Sequence, residues 1–368
     1  MKTVRRLLYR EVVIAVTLVT LGFIALFFFF DFVDELRSIN QLSEVGYKVP
    51  QALIYVSLLV PSHIYELLPI TVLIGTIFVM SRLAQSSEFT ILRTSGLGPW
   101  RALKTLLLLG LGFVVFTFAV GDYITPLADR TAQLLKSQFK GQISVGKTGA
   151  WLKERQAYGN YAVNVGALAP DGNMKDVKIF EFDNKGLLVS PTQGATATFG
   201  AHDDWLLDQV VRTEFMTQEG KKSRVDHIAL DNFRWPTLVT SEMVSAAVLR
   251  PERMGTIDLF QYMRHLTQNG QSAQKYEIQF WKKVFYPLSC LVMVVLALPF
   301  AYFHFRSGGI ATYVFGGVMA GISFVLLNNV LGDLGTLQGW QPWFTAALPG
   351  IIYSLLSLTA FSWLVLRR

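Results

Sequence analysis

The chain has 368 residues, of which 52% are hydrophobic, with a mean hydropathy of +0.39 and a formal net charge of +7 at pH 7. The apolar residues are bunched into runs near or above the roughly 20 residues that span a bilayer, which excludes an ordinary soluble domain. Nucleic acid is not the expected partner of the positive charge, because Lys and Arg sit mostly at the ends of the apolar runs, as membrane topology requires.

Lys2, Arg5, Arg6 and Arg10 precede the first apolar run, about Val12 to Val33. That run ends in Phe27-Phe28-Phe29-Phe30-Asp31 with no small-residue cleavage site, so it reads as a retained membrane helix rather than a secretory signal. A second helix covers about Ala52 to Leu83, kinked by Pro61 and Pro69. Glu66 falls near its far interface and reads as a solvated or bundle-facing carboxylate.

A polar interruption, Gln85 to Pro99, follows. Its pattern predicts a short helix capped by Ser86 or Ser87, with Glu88 near the positive end, Arg93 in the last turns and Gly96 with Pro99 as the stop. Phe89 and Leu92 share one face. A stiff amphipathic knob between two membrane helices suits contact with a soluble partner.

Helix 3 is expected over about Ala102 to Ile124, helix 4 over Lys283 to Phe303, helix 5 over Ile310 to Leu331 and helix 6 over Trp343 to Leu366. Gly316, Gly317 and Gly321 give helix 5 a small-residue face for close packing, within the chain or against another subunit. Cys290 is the lone cysteine and lies in an apolar run, so no intrachain disulfide or zinc spacing exists. The basic residues at the termini, at Arg82, Arg93, Arg101 and Lys104, and at Arg306 put both termini and the knob in the cytoplasm.

The residues between helices 3 and 4 then face the opposite side. They start with a helical extension, Pro126 to about Lys140, after which strand-like alternation takes over at 161–165, 177–182, 195–199, 205–215 and 227–235. Asp183-Asn184-Lys185-Gly186 is a hairpin turn, and Gly200 to Asp204 a second. The expected module is all-β, a sandwich or jelly roll, whose edges are either capped by its own loops or open to a partner strand. An amphipathic helix follows from Thr256 to His265, ended near Gly270.

Gly141 to Thr148 spells GxxxxGK[ST], but that motif works between a buried strand and a helix. Here a helical pattern precedes it and a polar, Gly-interrupted stretch follows, so it reads as a linker, and ATP, if used, must be bound by another chain. Hydrolase signatures are absent, and His63, His202, His227, His265 and His304 are scattered over different elements. The non-cytoplasmic helix ends carry a basic set: Arg37, Arg130, Lys136, Lys140, Lys147, Lys282 and Lys283. Lys136 and Lys140 repel at i,i+4, which anionic ligand groups would relieve; the rim reads either as a holder of the phosphates of an anionic lipid or as a solvated, headgroup-anchored rim.

Several stretches together resemble the LptF/LptG-type permeases of the lipopolysaccharide-export ABC transporter, the LptG branch more than the LptF branch. They are Phe32-Val33-Asp34-Glu35-Leu36, Leu83-Ala84-Gln85-Ser86-Ser87-Glu88, Thr94-Ser95-Gly96, Gly121-Asp122-Tyr123-Ile124-Thr125-Pro126, Gly149-Ala150-Trp151 and Lys275-Tyr276-Glu277-Ile278-Gln279-Phe280-Trp281. The resemblance implies a polytopic α-helical inner-membrane protein with an inserted, jelly-roll-like periplasmic β domain. Its parts would be residues 1–140, with a coupling helix at 85–97, the β domain at 141–255, and a linker helix with the last three membrane helices at 256–368.

It implies a non-catalytic permease subunit with no cofactor of its own, ATP being used by a partner. The partners would be a cytoplasmic ABC ATPase dimer, a paralogous LptF-like permease, periplasmic lipopolysaccharide-bridge proteins and lipopolysaccharide itself. Glu88, Phe89, Leu92 and Arg93 would couple to the ATPase, and Arg37, Arg130, Lys136 and Lys140 would meet lipid phosphates. One position departs from the pattern: Asp31 stands directly before Phe32-Val33-Asp34, where such sequences can carry a basic residue. A membrane-anchored periplasmic scaffold without transport activity is the alternative, but it has no use for a cytoplasmic knob.

Overall fold

The computed structural model describes residues 2–43, 46–86, 88–94, 96, 98–140, 149–156, 159–169, 173–183, 186–200, 204–216, 224–240, 243–244, 251–302 and 310–363. The GxxxxGK[ST] stretch at 141–148 lies outside the described residues, as do Lys147, His202, His304 and Arg306. The chain divides into two compact units, one of Met1–Arg37, Val56–Asp129 and Glu277–Arg368, the other of Ser38–Tyr55 and Arg130–Tyr276.

The helices are α1 (Lys2–Leu42), α2 (Val49–Gln85), α3 (Glu88–Thr94), α4 (Pro99–Ala119), α5 (Thr125–Lys140), α6 (Thr256–Gln268), α7 (Gln274–Phe285), α8 (Ser289–Ala297), α9 (Ile310–Gln338) and α10 (Pro342–Phe361). Among the described residues, six runs are long and apolar enough to cross a membrane: Val4–Leu42, Val49–Gln85, Pro99–Lys136, Gln274–Tyr302, Ala311–Gln338 and Pro342–Phe361. All six expected helices are there. Helix 3 runs on into the expected helical extension, α5, through a π-helical segment, Val120–Ile124. One helix differs from expectation at its start. Helix 4 begins at Gln274, not Lys283, so Lys282 and Lys283 lie inside a helical run rather than at its mouth.

In the first unit α2 is the central helix, with 78% of its apolar window buried against 22% for α1. Val72, Leu73, Ile77 and Met80 of α2 meet Val12 and Val16 of α1, Leu106 of α4, and Met293 and Val294 of α8 in one apolar cluster. Pro61 and Pro69 sit inside α2. The small-residue face of α9 turns inward: a Cβ on Gly317 would stand 2.6 Å from Ile77, and one on Gly321 2.9 Å from Ile70, whereas Gly316 faces open space. Tyr9 Oη donates to the Thr105 carbonyl at 3.0 Å, tying α1 to α4.

The second unit holds β1 (Ala150–Gln156), β2 (Gly159–Leu168), β3 (Met174–Phe182), β4 (Leu188–Phe199), β5 (Asp204–Met216) and β6 (Arg224–Pro236). They form one antiparallel sheet in the order β1-β2-β3-β4-β5-β6. The all-β insert is as expected; its described ladders make a sequential meander, without the crossovers of a Greek key. The sheet curls so that β1 and β6 meet through side chains, with Gln156 Nε2 donating to the Pro236 carbonyl at 2.8 Å. Tyr161 and Trp235 pack edge to face, 5.7 Å between centroids.

The inward face switches partway along. Val177, Gly194 and Val210 are paired neighbours and buried, yet so are Met174, Ala197 and Leu207, three positions away. Strict alternation forbids that. Asp176 and Gln209, at φ 51° and 52°, supply the change of parity.

In sequence the β1 stretch reads as part of a polar linker. It is a strand because Glu154 is inward-facing and satisfied: its carboxylate accepts from Thr237 Oγ1 at 2.5 Å and the Leu238 N–H at 2.8 Å. The free edge of β1 is covered in part by its own chain, since Asn269 Oδ1 accepts the Arg155 N–H at 2.9 Å.

Candidate functional site: a coupling helix and a basic rim

The knob between α2 and α4 is the seven-residue helix α3. Gly96, at φ 101°, ends it, and its N–H donates to the Arg93 carbonyl at 3.1 Å. Arg101 Nη1 donates to the Gly96 carbonyl at 3.0 Å, holding the turn closed before Pro99 opens α4. Ser87 lies outside the described residues, so the expected cap there has no description.

The four expected coupling residues do not share one role. Phe89 is buried at 4% exposure, in the core cluster with Leu83, Ala102 and Tyr302, and Leu92 is half-buried against the same cluster. Arg93 is exposed and lays its guanidinium 5.7 Å from the centroid of the Tyr302 ring. Glu88 and Thr90 are exposed, and Ile91 is 62% exposed. The apolar face of α3 is thus an anchor, and its outer face is Glu88 with Ile91. Ile91 escaped the sequence reading because a seven-residue helix with three apolar positions does not say which of them turns inward. Trp100, at the start of α4, is exposed as well.

The expected lipid-phosphate residues are spread over both units. Arg37, in the first unit, is exposed. Arg130, in the second, is exposed, and Lys136 is half-buried with its ammonium 4.4 Å from the Tyr55 ring centroid. The electron-rich face of that ring attracts the Lys136 ammonium. The Lys140 side chain is outside the description. Lys283 leaves the rim altogether: it is buried, and its Nζ donates to the Gly121 carbonyl at 3.3 Å.

Asp31 has a partner that the sequence did not announce. Its Oδ2 lies 2.6 Å from His63 Nε2, and Phe27 packs on the imidazole at 5.0 Å between centroids, so α1 and α2 are pinned there. Ser62 Oγ donates to the buried Asp129 carboxylate at 2.8 Å, pinning α2 to the start of α5. The carboxylate at Asp31 is thus engaged within the protein.

In the second unit, α6 lines a recess of about 580 Å³ with Thr240 and Met243, using Asp258, Gln261, Arg264 and His265. Asp258 is tied to the helix start, accepting the Gly255 N–H at 3.3 Å. Burial pushes the His265 imidazole below its ordinary value, with the Glu154 carboxylate pulling the other way. Burial also raises the Tyr262 phenol well above its ordinary range, helped by Tyr276 beside it. Among the described residues, no group of three His, Cys, Asp or Glu side chains could hold a metal ion.

Comparison with known proteins covers both units. The family model for the lipopolysaccharide export system permease LptF/LptG matches residues 6–366. The chain is 28% identical over 340 residues to the lipopolysaccharide export system permease protein LptG of Haemophilus influenzae, covering 92% of this chain and 90% of that one. It is 27% identical over 340 residues to the protein of the same name from Escherichia coli K12, again 92% of this chain and 90% of the relative.

Proposed function

The chain belongs to the LptF/LptG family of lipopolysaccharide export permeases, and on that premise we propose that it is the membrane-spanning permease subunit of an ATP-driven transporter. The transporter extracts lipopolysaccharide from the inner membrane and passes it to a periplasmic bridge toward the outer membrane. The observation that carries this is the family match from residue 6 to 366, which takes in the apolar helices, α3 and the β insert together. The protein is a multi-pass inner-membrane protein. Both termini and α3 are assigned to the cytoplasm and the sheet to the periplasm, an orientation supported by the Lys and Arg residues that flank the helices.

The chain is non-catalytic in this reading and binds no cofactor. ATP is hydrolysed by a separate cytoplasmic ATPase dimer, and a paralogous LptF-like permease completes the membrane part. Support for an external motor comes from α3: Phe89 and Leu92 fix the helix to the core while Glu88, Ile91 and Arg93 stay exposed. Because α3 is anchored rather than tethered, a push on its outer face is transmitted to α2 and α4.

Lipid A phosphates are assigned to Arg37, Arg130, Lys136 and Lys140. Exposed guanidinium groups suit them, since arginine presents paired donors to phosphate oxygens.

Co-expression with the candidate ATPase, followed by purification through this chain, tests the reading. Wild type is expected to recover an ATPase and to crosslink lipopolysaccharide, and Glu88→Lys to lose the ATPase. Lys136→Glu with Lys140→Glu is expected to weaken lipid crosslinking while keeping the ATPase. Recovery of no ATPase by wild type would favour a periplasmic scaffold instead.

A further inference from the structure

A buried ammonium inside an apolar helical unit needs a partner that justifies its charge. Lys283, in α7, is 8% exposed, and its Nζ donates to the carbonyl oxygen of Gly121 at 3.3 Å. Gly121 belongs to the π segment Val120–Ile124 between α4 and α5.

The backbone explains why that carbonyl takes a side-chain donor. In an α-helix, Gly121 would accept from the N–H of residue 125. Here the Thr125 N–H reaches back to the Val120 carbonyl instead. In the wider π register the next donor to Gly121 would be the N–H of residue 126. Residue 126 is proline and has none. Both backbone donors are lost to the same carbonyl, and the Lys283 ammonium takes their place. The surroundings are close: a Cβ on Gly121 would stand 2.3 Å from the Tyr65 ring, and Tyr65 packs against Tyr286 at 5.1 Å between centroids.

A return to the α register would give Gly121 its Thr125 donor back and turn the Asp122 carbonyl toward Pro126. The structure holds the segment in the π register, and the Lys283 bond belongs to that register. One residue of register is about 100° of rotation for the helix that follows.

We propose that Lys283 is a positioning residue for transport. It supplies the donor that Pro126 lacks, holds the helix in its π register, and lets go when the register changes as lipid is moved. Its contact is with the helix, not with lipid phosphate. The transport step rests on the permease reading above; the bond to Gly121 does not.

The test uses the whole chain, co-expressed with the ATPase and second permease of its transporter and reconstituted with purified lipopolysaccharide. Lys283→Met is expected to lower the thermal midpoint by about 2–6 °C, as for one lost bond to a charged donor. ATP-driven lipopolysaccharide release should fall on the order of tenfold. Lys283→Arg keeps a donor and should retain both. Pro126→Ala restores a backbone N–H, so adding it to Lys283→Met should recover midpoint and release together. A double variant no more stable than Lys283→Met overturns the proposal. So does a recovered midpoint with release still lost, which would mean that the charge itself serves the lipid. A wild-type complex that releases no lipopolysaccharide, while the midpoints still show rescue, removes the permease reading and leaves the Lys283–Gly121 bond standing.

Discussion

Phe89 meets Tyr302 edge-on, with ring centroids 5.1 Å apart. The contact joins α3 to the end of the helix 4 run, and it decides which side of a seven-residue helix is anchor and which is free. An isolated helix of that length is unstable in water, so α3 owes its shape to this packing.

Phe89→Ala is therefore expected to destabilise the chain by about 3 kcal/mol, the cost of a buried aromatic truncated to alanine. Thermal unfolding of the purified protein in detergent measures it. A midpoint equal to wild type would mean that α3 is held by something else.

The outer face should respond in the opposite way. Ile91→Asp is expected to change stability by no more than about 0.5 kcal/mol, as for an exposed position, while abolishing co-purification of the ATPase. Were Ile91→Asp to retain the ATPase as well as wild type does, the docking face would have to be sought elsewhere, with exposed Trp100 as the next place to look.

The glycines of α9 separate packing from propensity. Gly317→Ala is expected to cost about 1–3 kcal/mol, because its Cβ would sit 2.6 Å from Ile77 in the core. Gly316→Ala, facing open space one residue away, should be neutral or stabilising by about 1 kcal/mol through helix propensity. Paired melts of the two variants read the difference, and equal effects would place the α2 contact on another face of α9.

His265 gives the second unit a pH dependence of defined sign. Burial holds its folded pKa below the ordinary value of 6.5, so between the two values the unfolded chain binds more protons and stability rises with pH. The contribution is complete above about pH 6.5 and is lost as pH falls toward the folded value. Hydrogen exchange of the β1 and α6 amides should be faster at pH 5 than at pH 7.5, after correction for intrinsic rates. His265→Gln should flatten that difference; an unchanged difference would assign the effect to another group.

Much of the architecture was legible in the chain. Apolar runs of bilayer length have few options in lipid, since every backbone group must be satisfied within the segment, so helices followed from composition and spacing alone. Asp183 and Gly186 close a hairpin turn as expected, with the Gly186 N–H donating to the Asp183 carbonyl at 3.0 Å and Gly186 at φ 80°. β1 was not legible, because a charged Glu154 reads as solvated until the Thr237 and Leu238 donors that bury it are brought from far along the chain.

The sequence by itself determined the class: membrane helices, a β insert, a short amphipathic knob and a family. Those properties are local or compositional, and each run of residues carries its own signal. Only the tertiary structure decided which residues of the knob are exposed, that Asp31 is engaged by His63 at 2.6 Å, and that Lys283 leaves the basic rim for a carbonyl 162 residues away. A charge written next to an apolar run looks the same whether it ends in water, on a phosphate or on a backbone oxygen. The choice among them is made by what folds against it.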